Sequence, residues 1–406
     1  METHQTTTNP WGGSGNVTTR HPNPPRTSTS TSTSLTSLIN IGLLKSTLLP
    51  SLTINSTLAL AAYTAGRLTN RLESKDIIWP LAPVLDAWYA AVLRHTLPLS
   101  LLTGGTGRTT GVGGGGNQGV PVLTLREAWR CLGSTDKLLL GGVTLWGARL
   151  WYRVVTRAWK RGEGRDDPRY DAAKQQQQQQ HRRGGSAVGG KGLGGFWDWA
   201  WLSVYLPEVV IQSVIALSVT TPFRLGLEGL GVRRGDVVLG MGTTRYYREI
   251  GQALAVGLFS AGFALEVLAD WQLAEFQEKV ESRKMMCREG VWKVVRHPNY
   301  LGDAMVHASY ALLLFANNML APVALLGPLT NYLFLRWIGG DKQTEESQVQ
   351  RYAMQNVAKK VDFDRYRHER NSFWPDASQL RNKWAWVVVG CGVAGAVIEK
   401  TARQLL

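Results

Sequence analysis

Residues 248–271 read REIGQALAVGLFSAGFALEVLADW, with no charged residue between Glu249 and Glu266. A helix needs about 20 mostly apolar residues to cross the hydrocarbon core of a bilayer, and this stretch supplies them. Small residues recur four apart within it: Gly251 with Ala255, Ala253 with Gly257, and Gly257 with Ala261. That spacing lets helices approach closely in lipid, and tight packing is the reading preferred for these positions. A second run, residues 303–337, carries no Asp, Glu, Lys or Arg between Asp303 and Arg336. Asn317, Asn318, Pro322 and Pro328 interrupt it, so it reads as two short helices turning back on each other, the second ending near Trp337.

Further from these runs the membrane signal weakens but persists. Residues 44–65, 77–102 (broken by Asp86 and Arg94), 138–152 and 196–223, the last opening FWDWAW, are further candidates. The final run, 385–398, is about 14 residues and short for a span. The expected fold class is therefore all-α: a polytopic membrane helix bundle with about six to eight membrane helices. Residues 338–383 form a C-terminal cytosolic amphipathic segment in this scheme. A mean hydropathy of −0.13 averages apolar runs with polar tails and loops, so a soluble globule is excluded. Sixteen Trp, many beside the apolar runs, suit the membrane interface, where indoles anchor.

The net charge of +15 is concentrated in loops. Between Arg153 and Lys191 there are ten Lys or Arg against four Asp or Glu, the excess expected of cytoplasmic loops, so nucleic-acid binding is not the reading. Three scattered cysteines offer no disulfide framework, and seven His form no HExxH or comparable pair, so no metal site is expected. Residues 1–40 are a Ser/Thr/Pro-rich tail expected to be disordered. Its arginines lie on no amphipathic helix, as a mitochondrial presequence would require. The glycines of GVGGGGNQG, residues 111–119, lack the GKS or GKT of a phosphate loop and read as a linker. Residues 172–195 are a Gln/Gly-rich insertion, and 377–406 a C-terminal short apolar helix.

The densest chemistry lies in MCREGVWKVVRHPNYLGD, residues 286–303. Pro298 suits the first turn of a helix, which puts His297 near its N-cap, and an N-terminus flanked by Arg and His is an anion site. Lys293, Arg296 and Arg288 would present a broad basic face on a helix. Asn299 and Asp303 fall on one face, with Tyr300 beside them and Gly302 permitting close approach. Polar groups at the edge of a membrane helix are costly unless used. The plainer alternative is an interfacial helix start, with Arg296 on lipid phosphates, Asn299 as a cap and Lys293 paired to Glu289. Upstream, Glu266 and Asp270 sit at i and i+4. They could act as acid and base or pair with Arg149 or Arg153 across the bundle, and the pairing is preferred.

These motifs resemble the steroid 5-alpha-reductase C-terminal-like family, which includes sterol reductases and, more distantly, isoprenylcysteine carboxyl methyltransferases. The resemblance is carried by TLWGARL, DDPRY, the Gln212-containing run ending TTPF, FALEVLADWQLAEFQ, GVWKVVRHPNYLGD and the tail EES…RYAMQ…YRHERNSFWP, in order over about residues 76–376. It makes residues 41–376 a steroid-reductase-like membrane domain. It implies an endoplasmic-reticulum membrane enzyme that reduces a carbon–carbon double bond of a sterol or other lipid with NADPH; a mitochondrial membrane is the alternative. Carried over by residue, Arg296, His297, Asn299, Tyr300 and Asp303 would line the cofactor pocket. Glu266, Asp270 and Gln272 match the family's acidic stretch, and Arg351 and Tyr352 its charged tail. Val295 stands where the family usually has Ser, Asp303 where many relatives have Glu, and Leu273 where many have Lys.

On this reading Lys293 and Arg296, with Arg288, neutralise phosphates, for which Arg is suited. Asn299 holds the carboxamide, Tyr300 donates the proton, and Asp303 orients it or bonds a ribose hydroxyl. Asp76, Asp86 and Tyr89 are alternative proton donors. The competing functions are an S-adenosylmethionine-dependent carboxyl methyltransferase and a catalytically silent membrane protein.

Overall fold

The computed structural model describes residues 41–96, 123–162, 165–171, 174, 196–224, 239–240 and 244–405. The Ser/Thr tail, the glycine-rich 111–119 segment, most of the Gln/Gly insertion and most of residues 225–243 lie outside them. Among the described residues the chain is all-helical, with one isolated bridge between Leu239 and Leu320.

Helix α1, Ile41–Thr69, turns its polar residues inward: Thr47, Ser51 and Asn55 are buried at a spacing of four. The Asn55 amide donates to Asp86 Oδ2 at 3.1 Å and to Ser213 Oγ at 3.0 Å. The residues that dilute its hydropathy therefore hold it to α2, Ser74–Thr96, and α5, Phe196–Ile215. A short α3, Leu125–Cys131, carries a complete capping box between Thr124 and Glu127 and leads into α4, Ser134–Arg161. Helices α2 and α4 run antiparallel, since Trp88 bonds Thr144 while Arg71, just before α2, bonds the Ala158 carbonyl. Gly147 makes the crossing possible, because a Cβ there would stand 2.8 Å from the Pro80 oxygen. After α5 the chain bends by 42° into α6, Leu217–Phe223.

The bundle is centred on α7, Arg245–Glu278, a 34-residue helix. One side packs on α8, Pro298–Ala316, through reciprocal glycines: a Cβ on Gly302 would meet the Gly262 oxygen at 2.6 Å. The other side packs on α12, Lys383–Leu405, where a Cβ on Gly392 would meet the Gly257 oxygen at 2.7 Å. The small residues four apart are thus used for close helix packing. Trp146, Leu140, Val306 and Leu314 form the core between α4 and α8. The chain leaves α8 through Asn317 and Asn318, the latter left-handed at φ 55°, a conformation Asn tolerates better than most residues. It re-enters as α9, Leu326–Leu333, continued by a π turn to Ile338. Helices α10, Asp341–Gln355, and α11, Val357–Glu369, then cross the end of the bundle that holds the start of α8.

Three described helices are long and apolar enough to cross a membrane: α2, α7 and α12, with α5 and α6 a fourth if the bent pair is one crossing. That is fewer than the six to eight expected. Charges along α4, the inward polar residues of α1, and Asn299, Asp303 and His307 of α8 lower their hydropathy, and α9 is short. Helix α12 is longer than its apolar run suggests, because Glu399–Arg403 extends the same helix: Glu399 accepts from Gln252 of α7 at 2.6 Å and pairs with Arg403 at 3.3 Å.

Candidate functional site

A cavity of about 1140 Å³ opens where the start of α2, the C-terminal half of α4, the end of α7, the start of α8, and α10 and α11 converge. Ligand pockets usually hold 300–1,000 Å³, so there is room for a large ligand, or for a cofactor with a substrate. Ten Lys and Arg line the cavity against seven Asp and Glu.

Its floor is a buried ionic cluster. Arg149 of α4 reaches between Glu266 and Asp270 and bonds both, and Arg153, one turn on, pairs with Asp270 at 2.9 Å. Glu266 is only 2% exposed and keeps Oε1 without a hydrogen-bond partner. Asp303 of α8 also lines the floor as an electrostatic neighbour of Glu266, with His307 Nε2 at 3.5 Å behind it. Of the two readings of Glu266 and Asp270, pairing across the bundle is the one the structure shows.

Toward the mouth, His297 is the N-cap of α8 and Pro298 its first residue, as expected from the sequence. The entry is clamped from α10 and the segment after α11. The Arg296 and His297 N–H groups donate to the carbonyls of Asn371 and Ser372 at 3.1 and 3.0 Å. Glu345 Oε1 accepts from Arg296 Nε at 2.9 Å and lies 3.0 Å from His297 Nε2, while its Oε2 pairs with Arg367 at 3.2 Å. Burial works to raise the Glu345 carboxyl, but the bonds and charges of His297 and Arg296 outweigh it and bring it down to about 2. Glu345 is the functional neighbour that sequence reasoning missed; its position in EES, within the matching tail, was the available signal.

A depressed carboxylate adds stability above its unfolded value, near 4.5, and that increment, ~3 kcal/mol, disappears as pH falls toward 2. Unfolding midpoints followed from pH 6 to 2 should fall more steeply for the parent than for Glu345→Gln. Parallel curves would show that the clasp carries no such linkage.

Nine of the twelve candidate residues line the cavity: Glu266, Asp270, Arg296, His297, Asn299, Tyr300, Asp303, Arg351 and Tyr352. Tyr300 stacks on His297 with ring centroids 5.3 Å apart, and its hydroxyl bonds Thr344 Oγ1 at 3.1 Å. Thr344, rather than Asp303, therefore orients the phenol. The Asn299 Oδ1 is buried with no hydrogen-bond partner among the described residues. Three candidates do not line it. The Gln272 carbonyl accepts the Val291 N–H at 2.8 Å and closes over Gly290, which sits at φ 62° where a Cβ would strike the amide. Arg288 is spent on Asp362 and Glu369, each at 2.9 Å. Lys293 is exposed, and Glu289 pairs with Lys279 at 3.2 Å. The expected basic face breaks up because residues 290–293 form a 3₁₀ turn instead of a longer helix.

Two cations on the wall are differently placed. Arg351 and Lys359 both flank the Tyr352 ring, at 5.2 and 5.4 Å from its centroid. Burial and the neighbouring Arg351 charge both lower the Lys359 amine, against Asp362, which raises it; the amine donates to the Ser282 carbonyl at 2.6 Å, and no described carboxylate forms an ion pair with either cation. On the opposite wall Arg169 and Tyr170 of DDPRY bond Asp76 at 3.2 and 2.7 Å. Asp167 collects Arg157 at 2.9 Å and Arg161 at 2.7 Å. Burial opposes the Asp167 charge, yet Arg169 and Arg157 hold it well below the usual carboxylate range.

The family model described as "Protein of unknown function (DUF1295)" matches residues 119–369, more than half of the chain. The chain belongs to that family. The DUF1295 family is a member of the steroid 5-alpha-reductase-like superfamily, so the resemblance holds at that level. No curated protein and no solved structure matches the chain. The DUF1295 region supplies α4, α7, α8, α10 and α11, hence the ionic floor and both cationic walls; the α2 wall lies N-terminal to it.

Proposed function

We propose that this DUF1295 protein is an integral membrane oxidoreductase that uses NADPH to reduce a carbon–carbon double bond of a sterol or other lipid. The observation that supports this reading most is one continuous cavity that joins a cationic wall, Arg351 and Lys359, with no ion-paired carboxylate among the described residues, to a buried carboxylate floor inside the helix bundle. Helices α1, α4 and α8 with α9 would complete a bundle of six to eight membrane helices, in the endoplasmic reticulum or alternatively a mitochondrial membrane.

The residues present fit such a cofactor. Arg351 and Lys359, rather than Arg288, Lys293 and Arg296, would take its phosphates. Asn299 Oδ1, buried without a partner, would accept from a carboxamide N–H. NADPH, when bound, supplies the hydride. The chain supplies the proton: Tyr300 carries one at Oη, with the rotor held by Thr344. Arg149 bonds both Glu266 and Asp270 and holds them in place, and the indole of Trp146 is fully buried in the core beside them.

The test is thermal stabilisation and calorimetric binding with NADPH, NADH and S-adenosylmethionine, in detergent or nanodiscs. NADPH should bind, and Arg351→Ala or Lys359→Ala should each weaken it about tenfold, ~1.4 kcal/mol. Tyr300→Phe should leave NADPH binding intact while abolishing lipid reduction. Binding of S-adenosylmethionine in place of NADPH would make the protein a methyltransferase, and binding of none would make it a silent scaffold.

A further inference from the structure

A second cationic cluster lies at the opposite end of the bundle and lines no part of the cavity. Arg94 and His95 end α2, and Arg224 follows the last turn of α6. Arg94 Nη2 donates to the Phe223 carbonyl at 3.3 Å and Nε to His95 Nε2 at 3.1 Å, while the His95 carbonyl accepts from the Leu123 N–H at 3.0 Å. These bonds tie the ends of α2 and α6 together. They leave Arg94 Nη1 and Arg224 Nε buried with no hydrogen-bond partner among the described residues. The two guanidiniums are electrostatic neighbours, and the only described opposing group that acts on them is the Tyr89 phenol.

Two adjacent half-buried cations, each with a buried donor left idle, are unfavourable without an anion. The negative ends of the two helices offset part of one charge, and the Phe223 carbonyl already draws on Arg94 for that purpose. The remaining donors belong to guanidinium forks, which match a phosphate bidentately. The cluster sits where two candidate membrane spans end, and the ends of a span lie at the depth of lipid headgroups.

We propose that Arg94, His95 and Arg224 form a binding site for a phosphate-bearing anion on the side of the bundle opposite the cavity. The phosphate can belong to an anionic lipid headgroup or be free in solution, and two arms of the experiment separate these sources. The full-length protein is placed in nanodiscs of phosphatidylcholine, with or without dioleoyl phosphatidic acid, or given inorganic phosphate. Lipid retention is read by native mass spectrometry and stability by melting midpoint. The parent should retain phosphatidic acid about tenfold more than Arg94→Gln/Arg224→Gln and gain a higher midpoint. Arg94→Lys/Arg224→Lys should keep most of both, and the exposed pair Arg126→Gln/Arg130→Gln should change neither. Displacement by inorganic phosphate identifies a free-anion site; its failure to compete identifies a lipid site. Should the glutamine variant fail to fold, a parent that neither retains phosphatidic acid nor responds to phosphate overturns the proposal. So does equal retention by parent and glutamine variant. A third overturning result is retention gained only by Glu228→Gln/Asp236→Asn, since the arginines would then be serving the chain's own acids.

Discussion

Replacing Arg149 by leucine is expected to destabilise the folded protein by about 3–5 kcal/mol, the cost of breaking a buried ion pair from one side. The guanidinium is the shared partner of Glu266 and Asp270, and the three side chains are 15%, 2% and 18% exposed. Without it Glu266 and Asp303 are left as neighbouring carboxyls, with His307 beside Asp303 and Arg153 serving Asp270. The desolvation penalty of the carboxylates then stands uncompensated. Thermal or denaturant unfolding in detergent measures the loss. The companion Arg149→Leu/Glu266→Gln should recover much of it, because a neutral amide needs no counter-charge. A single mutant within about 1 kcal/mol of the parent, or a double mutant no better than the single, would show that Arg149 does not hold the floor.

The second large effect is steric. A Cβ on Gly302 would fall 2.6 Å from the Gly262 oxygen and 2.8 Å from Glu266 Cγ, so both the backbone and a floor carboxylate resist it. Gly302→Val should push α8 away from α7, carrying Asn299, Tyr300 and Asp303 with it. Overpacking of this kind costs about 1–3 kcal/mol, and a displacement of about 1 Å at reacting groups can cost about 10²-fold. On the proposed function, lipid-reductase activity should therefore fall by about that factor even where the variant still folds, with NADPH affinity measured alongside. Gly141→Ala and Gly390→Ala are the matched controls: a Cβ at either site meets nothing within 4 Å, and alanine is the better helix former. Normal ligand binding and activity in Gly302→Val would mean that the α7–α8 crossing does not set the site.

The helical bundle and the residues around the start of α8 were largely legible. Helix content follows from local hydropathy, and the entry to α8 follows from proline's fixed φ and missing N–H at position 298. Nine of the twelve candidate residues line one cavity, since short spacings such as 266 to 270 and 299 to 303 survive folding unchanged. The failures involve charges. Arg288, Lys293 and Arg296 form a basic group on paper, yet Asp362, Glu369 and Glu345 claim two of them and the 3₁₀ turn exposes the third. Only three or four candidate spans stand out among the described residues, because average hydropathy does not record which way a polar residue faces: Thr47, Ser51 and Asn55 of α1 point inward.

By itself, the sequence determined that this chain is a helical protein built around apolar segments, and that its polar chemistry gathers near residues 266–303. Both are properties of neighbours along the chain, set by helix periodicity and backbone sterics. Only the tertiary structure decided which charges are free. The Arg149–Glu266 bond joins residues 117 positions apart and the His297–Glu345 contact joins residues 48 apart. Pairing at such separations depends on how whole helices cross. A lysine or arginine lines the cavity without an ion pair only where that crossing brings no carboxylate to it, as at Arg351 and Lys359 among the described residues.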